Sequence, residues 1–86
     1  MFRVYEILEY LYSNTDFRTV IINSRDYITE DRYTWSGTIF YDLTIINHEE
    51  NNRILYYYGD YIVTSIRKHI YLNTVIIINC KNRIEG

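Results

Sequence analysis

Hydrophobic residues follow two different periods along this chain, and the change between them constrains the fold more than any other feature. From residue 17 onward, β-branched and aromatic residues alternate with polar ones, as they do in half-buried strands. Before that point, four apolar residues recur at the i, i+3, i+4, i+7 spacing of one helical face: Val4, Ile7, Leu8 and Leu11. The pattern predicts a helix over about residues 2–13 and a sheet over about residues 17–80.

Strand character is concentrated in four segments of the second part, residues 17–24, 33–46, 53–62 and 74–80. The segment 33–46 alternates most clearly, and we expect it to bend or bulge at Gly37. Residues 62–72 fit both a helix and a strand, and their content of Ile, Val, Thr and Tyr favours a strand.

Polar residues predict where the strands are joined. Residues 47–52 contain three asparagines, which tolerate the backbone conformations of tight turns, so strands 38–47 and 53–62 are predicted to form a hairpin. A second turn is predicted at Glu30-Asp31, and a polar tail over residues 81–86.

These elements predict one small α+β domain spanning residues 1–86, because a chain of this length is too short for two. One N-terminal helix packs on a meandering antiparallel sheet of four or five strands. A helix of about twelve residues is about 18 Å long, so it covers only part of such a sheet. We therefore expect part of the second face, or a sheet edge, to be left for a partner.

Composition disfavours several classes of protein. Nine Lys and Arg against eleven Asp and Glu give a net charge of -2, which is unsuited to a nonspecific polyanion binder. The single cysteine, Cys80, cannot form an internal disulfide and favours a reducing, cytoplasmic location. Glu6 and Glu9 interrupt the apolar run of a signal peptide, and no segment reaches the ~20 apolar residues of a membrane span.

Tyrosines are concentrated in the predicted strand 53–62. Consecutive residues of a strand face opposite sides, so Tyr56 and Tyr58 are expected on one face and Tyr57 and Tyr61 on the other. One pair suits the core, and the other suits a partner-binding surface, because tyrosine is enriched in interface hot spots. With the cations of the same region, the predicted partner-binding residues are Tyr56, Tyr57, Tyr58, Tyr61, Arg53 and Arg67.

Catalytic patterns are weak. In the predicted hairpin, Asp42 and Asp60 lie nearly opposite each other and, with His69, suggest a divalent metal site. The chain has no zinc-ligand spacing and no glycine-rich phosphate loop, and Cys80 after an apolar strand is best explained as a buried hydrophobe. We therefore predict no catalytic residue, no metal, no cofactor and no enzymatic activity.

The sequence thus predicts a small protein-binding module that occupies a surface of a larger protein. The absence of Ala, Gln and Pro and the abundance of Ile and Asn indicate an AT-rich genome, such as that of a phage or other mobile element. Phage inhibitors of host proteins, including anti-CRISPR proteins, are often this small. Because a hydrophobic content of 48% is difficult to bury in so short a chain, we also expect a homodimer.

Two alternatives remain open. The first is a nucleic-acid or nucleotide binder that stacks bases on surface tyrosines, which is less favoured because few cations accompany the rings. The second is a small metal-dependent hydrolase that uses Asp42 and Asp60.

Overall fold

The part of the chain that the structure describes folds into two helices and one sheet. A computed structural model describes residues 1–13, 16–29, 32–45 and 48–82, with the backbone alone for residues 26–29 and 32–37. The elements follow in the order α1 (Val4–Tyr12), β1 (Thr19–Thr29), β2 (Arg32–Asp42), α2 (Glu49–Tyr58), β3 (Ile62–Lys68) and β4 (Val75–Lys81). The predicted α+β class, the N-terminal helix and a sheet of four strands are confirmed.

The sheet is mixed, which corrects the predicted antiparallel meander. Its strand order is β2-β1-β4-β3. β1 pairs antiparallel with β2 and β3 pairs antiparallel with β4, but the two central strands β1 and β4 run parallel. The chain leaves β2 at one edge, crosses through α2 and enters β3 at the opposite edge, so no hairpin joins β2 to β3.

The predicted hairpin of residues 38–47 and 53–62 is wrong, because most of its second strand belongs to α2. His48 caps this helix by accepting the backbone N–H of Glu50 at its Nδ1, 3.3 Å away. Four residues of the helix face the core at the i, i+3, i+4, i+7 spacing: Asn51, Ile54, Leu55 and Tyr58. The side chain of Asn51 bonds the backbone of Asp42 and Ile45 and so fastens α2 to the end of β2.

The other strands lie close to where the sequence places them. β3 occupies residues 62–68 of the ambiguous segment 62–72, and β4 covers nearly all of the predicted strand 74–80. β2 carries an irregularity beside Gly37, since Ser24 pairs with Gly37 and Arg25 with Trp35. The predicted turn at Glu30-Asp31 and the tail residues 83–86 lie outside the described residues.

The hydrophobic core lies between the two helices and one face of the sheet. The apolar stripe predicted for α1 is buried there, and Leu8 retains only 1% of its exposure. The strands contribute alternate residues on this face: Val20, Ile22, Tyr41, Ile76, Ile78 and Cys80. Cys80 is thus a buried thiol, as predicted, and its Sγ donates to the carbonyl of Asn23 at 3.6 Å.

Backbone hydrogen bonds fix α1 to the end of α2. The N–H of Val4 donates to the carbonyl of Tyr61 at 2.9 Å, and the N–H of Tyr5 donates to the carbonyl of Gly59 at 3.0 Å. These bonds satisfy two N–H groups that the first turn of a helix leaves without intrahelical partners. At the other end of α1, the hydroxyl oxygens of Tyr12 and Tyr41 lie 2.6 Å apart.

The second face of the sheet carries no helix in the described part of the chain. Beyond the row of Asp42, Thr19 and Val75 at one end, three further rows of side chains cross this open face, because the strands are paired in register. One row contains Phe40, Ile21, Ile77 and Arg67; the next contains Thr38, Asn23, Asn79 and Ser65; and the third brings Arg25 opposite Lys81. Over these three rows, the open face changes from mainly apolar to polar to basic along the strands.

Candidate functional site

The predicted tyrosine cluster lies at the C-terminal end of α2, where helical geometry replaces the predicted strand alternation. Tyr56 and Tyr57 are exposed, and their rings meet edge to face at 5.2 Å. Tyr58 and Tyr61 also contact each other, but both pack against the hydrophobic core. The assignment of Tyr56 and Tyr58 to one face is therefore wrong, since successive helical residues are rotated by about 100° rather than 180°.

The two arginines of the predicted site lie in different places. Arg53 lies one turn before Tyr57 on α2 and faces Glu49 and Glu50, with nitrogen–oxygen distances of 3.9 and 3.8 Å. Arg67 belongs to β3 and lines the open face of the sheet. The exposed residues of the predicted site that lie together are thus Arg53, Tyr56 and Tyr57, while Arg67 is exposed on β3.

A second exposed surface, which the sequence analysis did not identify, lies at the tip of the β3–β4 connection. Ile70, Tyr71 and Leu72 are 78%, 87% and 54% exposed. The ring of His69 holds their backbone, because its Nδ1 accepts the N–H groups of both Tyr71 and Leu72 at 3.1 Å. We call residues 70–72 the apolar tip.

A groove of about 620 Å³ runs between α1 and β3 toward this tip. Its walls include exposed side chains of Phe2, Tyr10 and Ile66, and its floor includes Ile7 and Ile76. At one end the ammonium of Lys68 lies 5.7 Å from the centre of the Phe17 ring. The groove and the apolar tip adjoin, because Lys68 lines the groove and the tip begins two residues later, at Ile70.

The tip and the tyrosines of α2 lie at opposite ends of the sheet. β3 begins at Ile62, next to the end of α2, and runs away from it to Lys68. The base of the tip is bonded to the start of β1, where the N–H of Arg18 donates to the carbonyl of Thr74 at 2.8 Å. A partner that covers one of these surfaces therefore leaves the other exposed, and a substitution in the exposed surface can serve as a control.

The carboxylates proposed for metal binding have other partners. Asp42 accepts hydrogen bonds from the backbone and hydroxyl of Thr44, which lower the pKa of its carboxyl group. Asp60 faces Arg3 at 3.3 Å. The hairpin that motivated their pairing is not formed, and among the described residues no three His, Cys, Asp or Glu side chains are grouped to hold a metal ion.

The tyrosine pair between α1 and β2 is structural. Burial, and then the hydrogen bond with Tyr12, raise the pKa of Tyr41 far above its usual range. The rings meet edge to face at 6.0 Å, and Tyr12 also donates to the carbonyl of Ile45. A hydroxyl that is held protonated in this way is unsuited to act as a general base at neutral pH.

The geometry thus offers two exposed surfaces rich in apolar side chains, and none of the described helices is long and apolar enough to cross a membrane. In comparisons with known proteins, the chain matches no family model, no curated relative and no solved structure.

Proposed function

We propose that this chain is a small, non-enzymatic module that binds a larger protein through the apolar tip. The observation that carries the proposal is the exposure of Ile70, Tyr71 and Leu72 next to one another on a hydrogen-bonded loop. Contiguous exposed apolar residues are characteristic of protein interaction sites, and tyrosine is among the residues enriched in hot spots. The bonds to His69 order the loop before binding, which reduces the entropy lost on association.

The neighbouring groove and the edge of β3 enlarge the surface available to the partner. The N–H of His69 points toward β4, where it donates to Val75, so the alternation of an antiparallel ladder directs the N–H groups of Ile66 and Lys68 outward. Neither N–H has a backbone partner among the residues the structure describes. An extended segment of the partner can add to this edge while its side chains enter the groove.

The proposal includes the biological setting indicated by the sequence. A phage or other mobile element would use such a module in the host cytoplasm to inhibit a host protein, as anti-CRISPR proteins do. Size and AT-rich composition support this class, together with the weakness of catalytic patterns in the sequence.

The test compares two tyrosines of nearly equal exposure at opposite ends of the sheet. Tyr71 is 87% and Tyr56 is 83% exposed, so neither Tyr71→Ala nor Tyr56→Ala should lower the melting temperature appreciably. The tagged protein is used to capture its partner from host lysate, and the affinity of the purified pair is then measured. We expect Tyr71→Ala to weaken binding more than about thirtyfold, equivalent to ~2 kcal/mol, and Tyr56→Ala to change it less than about threefold.

Other outcomes identify where the proposal fails. Loss of binding in Tyr56→Ala but not in Tyr71→Ala would move the interface to Arg53, Tyr56 and Tyr57. If the captured partner is nucleic acid, and its affinity falls steeply with salt, the alternative of base stacking replaces the proposal.

We also propose that the chain forms a homodimer. Twelve large hydrophobic side chains are exposed among the described residues, and a two-fold contact is an economical way to cover some of them. Light scattering at high micromolar concentration is expected to give a mass of about two chains. A mass of about one chain at that concentration would exclude a stable dimer.

A further inference from the structure

The open face of the sheet contains a concavity of about 560 Å³ at its basic end. Asn23, Asn79 and Ser65 form its floor, and Arg25, Arg67 and Lys81 line it. Every charged side chain among the described lining residues is a cation, although the chain as a whole has a net charge of -2. Three of the nine Lys and Arg residues of the chain therefore line this one concavity.

A row of hydrogen bonds crosses the floor of this concavity in one direction. The hydroxyl of Thr38 donates to Asn23 Oδ1 at 2.9 Å, and Asn23 Nδ2 donates to Asn79 Oδ1 at 3.2 Å. Asn79 Nδ2 then donates to Ser65 Oγ at 2.7 Å. Since Ser65 Oγ is the acceptor at the end of the row, its own hydrogen remains available, and aligned donors polarise one another toward that hydrogen.

The cations lie around this terminal hydroxyl. Arg67 follows Ser65 by two residues on the same face of β3, about 7 Å along the strand. Its guanidinium has no ion pair within the described residues. Lys81 is two residues beyond Asn79 on β4 and lies directly opposite Arg25.

We propose that this concavity binds the phosphate group of a small phosphorylated molecule. Arg67 contacts two phosphate oxygens through its planar fork, and Ser65 donates to a third oxygen. The volume lies in the range of small-molecule sites, so it accommodates a phosphate with an attached group. The site lies on the face of the sheet opposite α1 and α2, and it meets the surface proposed for the protein partner at Arg67, which also lines the groove between α1 and β3.

Inorganic phosphate and adenosine monophosphate are suitable probes, titrated separately into the full-length, isotope-labelled protein at constant ionic strength set with chloride. Amide shifts measured by NMR should saturate at Ser65, Arg67 and Lys81 and at the side-chain amide of Asn79. We expect Arg67→Gln and Ser65→Ala each to weaken phosphate binding at least about fivefold. Arg18→Gln removes the same charge from an exposed position near the other end of β1 and should leave the affinity unchanged.

Several results would overturn the proposal. One is a linear, non-saturating response to both probes. Another is an equal loss of affinity in Arg18→Gln and Arg67→Gln, which would indicate that the affinity depends only on the net charge of the protein. Preferential, salt-sensitive binding of a single-stranded oligonucleotide over both probes would assign the face to nucleic acid instead. Saturation by inorganic phosphate but not by the nucleotide would also overturn the proposal, in favour of a site for the free anion. Saturable and tighter binding of the nucleotide is the expected result.

Discussion

Replacement of Leu8 by alanine is expected to lower the free energy of unfolding by ~2–5 kcal/mol. Leu8 is 1% exposed at the centre of the α1 stripe, where the helix packs on the sheet. The substitution removes buried methyl groups and leaves a cavity that the surrounding side chains fill only in part. Urea unfolding followed by circular dichroism gives the change directly, since the midpoint shifts while the slope is retained.

Glu9→Ala is the matched control, because Glu9 is the next residue of α1 and is exposed. It should change the free energy of unfolding by less than about 0.5 kcal/mol. A small domain has only about 5–15 kcal/mol in total, so Leu8→Ala is expected to remove a large fraction of it. Equal midpoints for the Leu8→Ala and Glu9→Ala proteins would show that α1 does not pack as described.

The sequence predicts α1 but not α2, although both helices follow the same spacing. In α1 all four inward positions are apolar, so the helical period is complete. In α2 the first inward position is Asn51, and three consecutive tyrosines with high strand propensity end the helix. A local pattern cannot show that a polar residue is buried, because the partners of Asn51 lie on another element.

The concavity on the open face is formed by strands that are far apart in the sequence. Asn23 and Asn79 each alternate with apolar neighbours on their own strands, and only the parallel pairing of β1 with β4 places them side by side. The apolar tip had a local signal, since three apolar residues follow His69 directly. Their side chains have high strand propensity and therefore predict the end of a strand, whereas the structure ends β3 at Lys68.

Substitution of Asn51 is expected to have a comparably large effect, for a polar rather than an apolar reason. Asn51 is 3% exposed, and its Nδ2 donates to the carbonyl of Asp42 at 2.6 Å and to that of Ile45 at 3.3 Å. Its Oδ1 accepts the N–H of Asp42 at 3.3 Å. Asn51→Ala leaves these backbone groups without their partner and should lower the free energy of unfolding by ~2–3 kcal/mol.

Asn51→Asp distinguishes the contribution of the hydrogen bonds from that of side-chain shape, because Asp has nearly the same shape as Asn but lacks its NH2 donor. The carboxylate still accepts the N–H of Asp42. The NH2 group that donates to two backbone carbonyls is replaced by a negatively charged oxygen, which is buried beside them. At neutral pH this variant should therefore be less stable than Asn51→Ala. Burial raises the pKa of such a carboxyl group, and its protonated form restores a donor. The stability difference between Asn51→Asp and Asn51→Ala should therefore shrink as the pH falls toward about 4.

Asn52→Ala, at the adjacent exposed position, should be nearly neutral at both pH values. If the two Asn51 variants keep the same stability difference over this pH range, or if Asn52→Ala costs as much as Asn51→Ala, the bonds to Asp42 and Ile45 do not hold α2 in place.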